Sequence, residues 1–169
     1  MRVTSIAAVA TNGVIGKDND LVWRLRDDMR FFMDTTKGHH VIMGRRNFES
    51  IPAKYRPLAD RPNIVISRNP DYAAPGATVV ASLEAALEVA RNAGEEEAFI
   101  IGGGQIYQLA LEAGAVDRQL LTHVQAEPEG DAFYPAFEES DWIAERIGGQ
   151  EADERNEHGF EIWAYTRRR

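Results

Sequence analysis

Residues 99–113, FIIGGGQIYQLALEA, pass from a short apolar run through three glycines into a helical pattern with no intervening linker. A run of Phe and Ile bounded by glycine is the signature of a buried strand, and it predicts strand at 99–101 and helix at 104–113. The same unit recurs along the chain. Strands are predicted at 3–9, 40–43, 63–67, 78–81, 119–125 and 160–166, and helices at 25–36, 46–50 and 83–92. Ser82 stands as an N-cap and Gly94 as a stop around the third of these helices. Alternation of strand and helix argues for an α/β fold with a mostly parallel sheet covered on both faces. No repeat, low-complexity tract or long linker divides the sequence, so one domain over 1–169 is expected.

Composition narrows the function. Of 169 residues, 44% are hydrophobic, enough for a packed core. Lys and Arg number 19 against 27 Asp and Glu, a net charge of −8. The resulting field repels nucleic acid and anionic membrane. The chain has no cysteine, which excludes disulfides and thiolate chemistry. MRVTSIAAVA at 1–10 is too short and too polar for a signal peptide or spanning helix, so a cytoplasmic protein is expected. His39, His40, His123 and His158 lack metal-ligand spacing and read as solvated or strand-end residues. The acidic runs at 94–98, 126–131, 138–141 and 151–157 read as solvated surface, and 167–169 as a frayed basic tail.

The adjacent carboxylates in VWRLRDDMRFF, 22–32, do not share one environment. At about 100° per residue, with Asp28 at zero, Phe32 falls near 40°, Leu25 near 60° and Phe31 near −60°. Asp27 falls near −100°, at the edge of the apolar face and within reach of the helix dipole. Asp28 thus faces the interior. A carboxylate there needs a hydrogen-bonding partner, either local backbone and threonine hydroxyls or a ligand that donates.

Trp23, Asp28 and Phe32 at this spacing resemble dihydrofolate reductase of the bacterial chromosomal type. So do SIAAVATNGVIGKDNDLVW (5–23), VIMGRRNFESI (41–51), RPNIVISR (61–68), FIIGGGQIY (99–107), LLTHVQAEPEGDAFYP (120–135) and FEIWAYTR (160–167), in that order. The resemblance implies an eight-stranded sheet, parallel except at the C-terminal strand, with four helices. An extra strand near 142–146 then completes the count. It also implies reduction of 7,8-dihydrofolate to tetrahydrofolate by NADPH, with hydride to C6 and a proton to N5.

By the same resemblance Asp28 holds the pterin, helped by Trp23 and Thr122, with Tyr107 and Leu21 near the nicotinamide. Ile6, Ala7, Ala8, Met29, Phe32, Ile51, Leu58 and Ile101 wall the substrate pocket, and Arg61 clamps a substrate carboxylate. The cofactor site takes Ala8, Ile15, Gly16, Asn19, Leu21, Gly44, Arg45, Arg46, Asn47, Ser67, Arg68, Ile101, Gly103, Gly104, Gln105, Ile106 and Tyr107. A cis peptide is implied between Gly103 and Gly104. The glycine run lacks the last glycine of the G-x-G-x-x-G fingerprint and by itself is also a plain strand-to-helix turn. Arg45, Arg46 and Arg68, three cations in an acidic chain, point to a 2′-phosphate and therefore to NADPH over NADH. Residues 11–23 resemble a mobile loop that closes over the nicotinamide, stabilised by Asp131.

The sequence also departs from the family pattern. Val22 and Arg26 stand where prolines are common, Gln105 replaces an arginine, and Arg68 replaces a serine. Asn47 and Phe48 sit where Thr and Trp are frequent, and the loop at 52–62 gives no role to Lys54, Tyr55 or Arg56. Two other readings remain: a sister reductase acting on a ribosylated pyrimidine, and a binding protein without catalysis. The intact Trp23, Asp28 and Arg61 argue against both. The expectation is a monomer in one-carbon metabolism, taking dihydrofolate and antifolates as small-molecule ligands, with no metal.

Overall fold

Five runs rich in Val, Ile and Ala settle next to one another because each can bury both faces. The computed structural model describes all 169 residues. Its strands are β1 (Arg2–Ala10), β2 (Val14–Gly16), β3 (Val41–Gly44), β4 (Asn63–Ile66), β5 (Thr78–Val80), β6 (Glu97–Gly102), β7 (Arg118–Val124), β8 (Ala132–Phe133), β9 (Trp142–Gln150) and β10 (Phe160–Arg167). Its helices are α1 (Arg26–Thr36), α2 (Arg45–Ser50), α3 (Leu83–Asn92) and α4 (Gly104–Glu112). Eight strands form one sheet in the order β5-β4-β3-β6-β1-β7-β10-β9. All pairings are parallel except those of β10, which runs antiparallel to both β7 and β9. The α/β expectation and the single reversed C-terminal strand both hold.

Side chains alternate across this sheet with the two-residue period of a strand. On one face Val3 and Val9 of β1 join Ile42, Ile100 and Leu121 beneath α3 and α4, which contribute Leu87, Ala90 and Ala110. On the other, Ile6, Met43, Val65 and Phe99 pack with Phe48 of α2 and with Phe31 and Phe32 of α1. Helix α3 buries Leu83, Ala86, Leu87 and Ala90, one stripe at helical spacing, and Ser82 caps it by accepting from the Ala85 amide at 3.1 Å. Such a cap stabilises by about 1 kcal/mol.

Strands β2 and β8 form a separate antiparallel ribbon, with Val14 opposite Phe133 and Gly16 opposite Ala132. Three- and two-residue strands carry no periodic signal, so this ribbon is absent from the sequence expectation. A tight turn follows it: Lys17 and Asp20 exchange both backbone hydrogen bonds at 3.0 Å, and Asp18 and Asn19 take φ of 51° and 61°. Asp and Asn tolerate that left-handed region better than most side chains.

Three surface readings need correction. Residues 151–157 are not only solvated charge: Asn156 is fully buried, and it bonds both the Asp27 amide (3.1 Å) and the Asp27 carboxylate (2.9 Å). The basic tail is engaged, with Arg167 donating to the Val116 carbonyl at 2.9 Å and lying over Trp142, and Arg169 pairing with Asp117 at 2.6 Å. Glu95, in the run at 94–98, accepts from His39 Nδ1 at 3.0 Å, from His40 Nδ1 at 2.7 Å and from the His40 amide. Burial alone would raise its pKa, but these hydrogen bonds outweigh it and hold the carboxyl at about 2.

Because that value lies below the ordinary carboxylate range, ionised Glu95 contributes stability at neutral pH. The contribution fades as pH falls from about 4.5 toward about 2. Glu95→Gln is expected to lower unfolding free energy by about 2 kcal/mol at pH 7. Urea titrations from pH 7 down to pH 3 should show the difference from wild type shrinking.

Candidate active site

The parallel strands end at one edge of the sheet, and there a cleft of ≈ 2110 Å³ opens between the two helical layers. Crevices at the carboxyl ends of strands are the usual ligand sites of open α/β sheets. Every residue assigned by resemblance to substrate or cofactor lines it, from Ile6, Ala7 and Ala8 on β1 to Thr122 on β7. Trp23 does not. It is 7% exposed and buried beside Ala10, Val14, Leu25 and Val124, so it supports the wall from behind and does not line the cleft.

Asp28 occupies the position its helical phase predicts. One carboxylate oxygen accepts from the Thr122 hydroxyl at 2.6 Å, and no other protein group bonds it. Burial pushes its pKa above the usual carboxylate value, and the Thr122 hydrogen bond opposes that only in part. A carboxyl so placed, with acceptor capacity unused, suits a ligand presenting two N–H donors. Helix α1 lacks a side-chain cap at Leu25; the loop at 153–157 stands in, with the Arg155 carbonyl accepting from the Arg26 amide at 3.2 Å and Asn156 from that of Asp27. The helix carrying Asp28 is thereby fixed from a distant part of the chain. Nothing in the local sequence of 22–32 signals this.

Arg61 is fastened on one side. Its Nε donates to the Ala59 carbonyl at 2.8 Å and its Nη1 to Thr36 Oγ1 at 3.0 Å, while Nη2 has no protein partner. Burial pulls its pKa below the ordinary guanidinium value, with Asp60 opposing. A held, partly desolvated fork favours a carboxylate ligand. Arg56, left without a role by the sequence, donates to the Glu49 and Ile51 carbonyls at 3.0 and 3.2 Å and so secures the end of α2.

At the opposite end of the cleft the glycines of 102–104 join β6 to α4. The cis peptide lies between Gly102 and Gly103, one residue earlier than the resemblance implies. Gly102 has φ 126°, and a Cβ on Gly104 would come within 2.9 Å of the Phe133 carbonyl, so side chains are excluded where a ligand's phosphates must approach backbone. Arg45 lies over the Tyr72 ring at 4.2 Å and pairs with Glu49 at 3.5 Å. Arg46 and Arg68 line the cleft and make no ion pair. These groups fit a dinucleotide carrying an extra phosphate. Tyr107 donates its hydroxyl to the Ile6 carbonyl at 2.6 Å, fixing β1 where the two halves of the cleft meet.

Over this junction lies the loop at 11–23. The Asp18 amide donates to Asp131 Oδ2 at 3.0 Å and the Asp131 amide to the Gly16 carbonyl at 3.1 Å. Leu21 lines the cleft and is 56% exposed.

The family model described as dihydrofolate reductase matches residues 2–167. The chain is 43% identical over 169 residues to dihydrofolate reductase type 3 of Salmonella typhimurium, covering 100% of both chains. It is 40% identical over 166 residues to dihydrofolate reductase of Bacillus subtilis (strain 168), covering 98% of this chain and 95% of that one. Among solved structures, dihydrofolate reductase from Enterococcus faecalis complexed with NADP(H) and RAB-propyl superposes with a TM-score of 0.85. It has 32% sequence identity, with 99% of this chain and 97% of that chain covered.

Thr122→Val removes the only hydrogen bond to the Asp28 carboxylate. Its titration midpoint, followed by the carboxyl ¹³C shift, should move upward from that of wild type. A downward shift would contradict the reading that the Thr122 hydroxyl stabilises the ionised carboxylate.

Proposed function

Because the chain belongs to the dihydrofolate reductase family, we propose that it reduces 7,8-dihydrofolate to 5,6,7,8-tetrahydrofolate with Asp28 as the group that anchors the pterin. It is an NADPH-dependent oxidoreductase. The observation that carries the assignment of Asp28 is the single hydrogen bond from Thr122, which leaves the carboxylate free to accept from a ring nitrogen and an amino group. Ile6, Ala7, Ala8, Met29, Phe32, Ile51, Leu58 and Ile101 enclose the flat ring and its benzoyl extension, and Arg61 receives the glutamate carboxylate.

NADPH, when bound, supplies the hydride that ends on C6. Gly44, Asn47, Ser67, Gly103, Gly104, Gln105 and Ile106, which line the cleft along the strand ends, would hold the cofactor, and Arg45, Arg46 and Arg68 would meet its 2′-phosphate. Asp28 holds the pterin in register and favours the tautomer that takes up a proton at N5, which arrives through water. Thr122 orients Asp28, Trp23 supports the wall behind it, and Tyr107 positions Ile6. The 11–23 loop, with Ile15, Gly16, Asn19 and Leu21, excludes bulk water from the reacting atoms.

The chain acts as one domain and a monomer in the cytoplasm, supplying one-carbon units for thymidylate, purine and glycine synthesis. No helix is long and apolar enough to cross a membrane. Antifolates with a diaminopyrimidine or pteridine head compete for Asp28.

Asp28→Asn keeps the size and removes the charge. NADPH oxidation with dihydrofolate, followed by absorbance, should fall by about 10²–10⁴-fold in kcat/KM at pH 7, the range of a positioned acid–base group. Equal rates in both proteins would remove Asp28 from the mechanism. Arg61→Lys should raise KM for dihydrofolate about tenfold and leave kcat near wild type, because a bidentate contact becomes a point charge.

A further inference from the structure

A buried polar node lies on the α3–α4 face of the sheet, among aliphatic and aromatic side chains, and the reaction described above makes no use of it. Ser5 on β1 and Gln119 on β7 are register partners and fully buried. Between them rises Tyr134, 8% exposed, from the residue after β8. Its hydroxyl donates to Gln119 Oε1 at 2.6 Å and lies 2.8 Å from Ser5 Oγ. With the tyrosine proton committed to Gln119, the Ser5 hydroxyl donates to the tyrosine oxygen. The node is therefore directional, and it leaves Gln119 Nε2 buried without a partner.

Such a group is costly in an apolar layer unless its geometry serves something else. The connections of Tyr134 show what that is. Its amide donates to the Gly13 carbonyl at 3.0 Å, and the preceding residues pair with the loop through Val14–Phe133, Gly16–Ala132 and the Asp131 bonds to Asp18 and Gly16. Its ring packs at a tilt of 50° against Tyr107, centroids 4.9 Å apart, and the Tyr107 hydroxyl holds the carbonyl of Ile6, next in sequence to Ser5. From one phenol, contacts run outward to the loop and inward to the strand that forms the cleft floor.

We propose that Tyr134 is a positioning residue: its hydroxyl, seated between Ser5 and Gln119, fixes the 131–134 segment to the sheet and so holds the 11–23 loop in its closed register over the nicotinamide site. This rests on the reading of that loop as a lid. An apolar phenylalanine could fill the same space, but it could slide along the sheet; two hydrogen bonds to adjacent strands admit one register.

The test compares wild type, Tyr134→Phe and Asp131→Ala in NADPH release, measured by stopped-flow displacement, and in single-turnover hydride transfer from preloaded enzyme. Tyr134→Phe keeps the ring on Tyr107 and is expected to speed NADPH release about tenfold and slow hydride transfer by a similar factor, with KM for dihydrofolate near wild type. Gln119→Leu, which also removes the unpaired amide, should reproduce the fast release even if Tyr134→Phe folds poorly. The triple variant Ser5→Ala/Gln119→Leu/Tyr134→Phe separates register from stability. Recovery of wild-type Tm with release still fast supports the proposal, whereas recovery of both together overturns it. Unchanged release in Tyr134→Phe while Asp131→Ala accelerates it overturns the node alone. Unchanged release in Asp131→Ala removes the lid reading on which the proposal stands.

Discussion

A carboxylate facing the inside of a folded chain must be met by hydrogen bonds or neutralised, and the cleft is organised around that requirement at Asp28. The protein supplies one bond, from Thr122, and withholds the rest. The consequence is a group that is partly desolvated yet chemically incomplete, and a ligand with paired N–H donors completes it at little reorganisation cost. Burial raises its pKa without pairing it with a cation, which keeps its charge available to the ligand instead of spending it on a salt bridge. The other polar groups of the cleft follow the same logic. Arg61 is tied by two nitrogens and keeps the third free, and Arg46 and Arg68 remain without acidic partners in a chain whose net charge is −8.

Sheet topology brings these unfinished groups together. Only parallel strands deliver their carboxyl ends to a single edge, and β4, β3, β6, β1 and β7 do so as five consecutive neighbours in the sheet. The helices that connect them lie on two faces, so α1 can present Asp28 from one side while α4 presents its amide-rich start from the other. The ribbon of β2 and β8 then spans the gap where neither layer reaches.

How much of this could be read beforehand depended on the range of the interaction. Strand and helix positions, the inward phase of Asp28 and the glycine turn are properties of short windows, and they emerge from periodicity. The ribbon of β2 and β8 is not, because each piece is too short to show a period and exists only through pairing across the fold. Asn156 was hidden inside an acidic run whose composition argued for solvent, and its burial follows from a contact with Asp27 made 129 residues away. Arg45 reads from the sequence as one of three cations for a 2′-phosphate, and its contact with the Tyr72 ring joins segments that no short window links. Trp23 reads by resemblance as a helper in holding the ligand, and its place behind the wall follows only from its packing against Ala10, Val14, Leu25 and Val124. The cis peptide lies in the turn the resemblance implies, one bond earlier than implied.

The fastening of α1 by the loop at 153–157 has a consequence for how the protein comes into being. A ribosome releases the helix that bears Asp28 more than a hundred residues before it releases Asn156, and β10, which inserts between β7 and β9, emerges later still. During that interval the nascent chain can assemble its parallel strands, but the start of α1 has no partner for its amides. The capped start of α1 is therefore completed late, and a product terminated before residue 155 would lack the groups that meet the Arg26 and Asp27 amides.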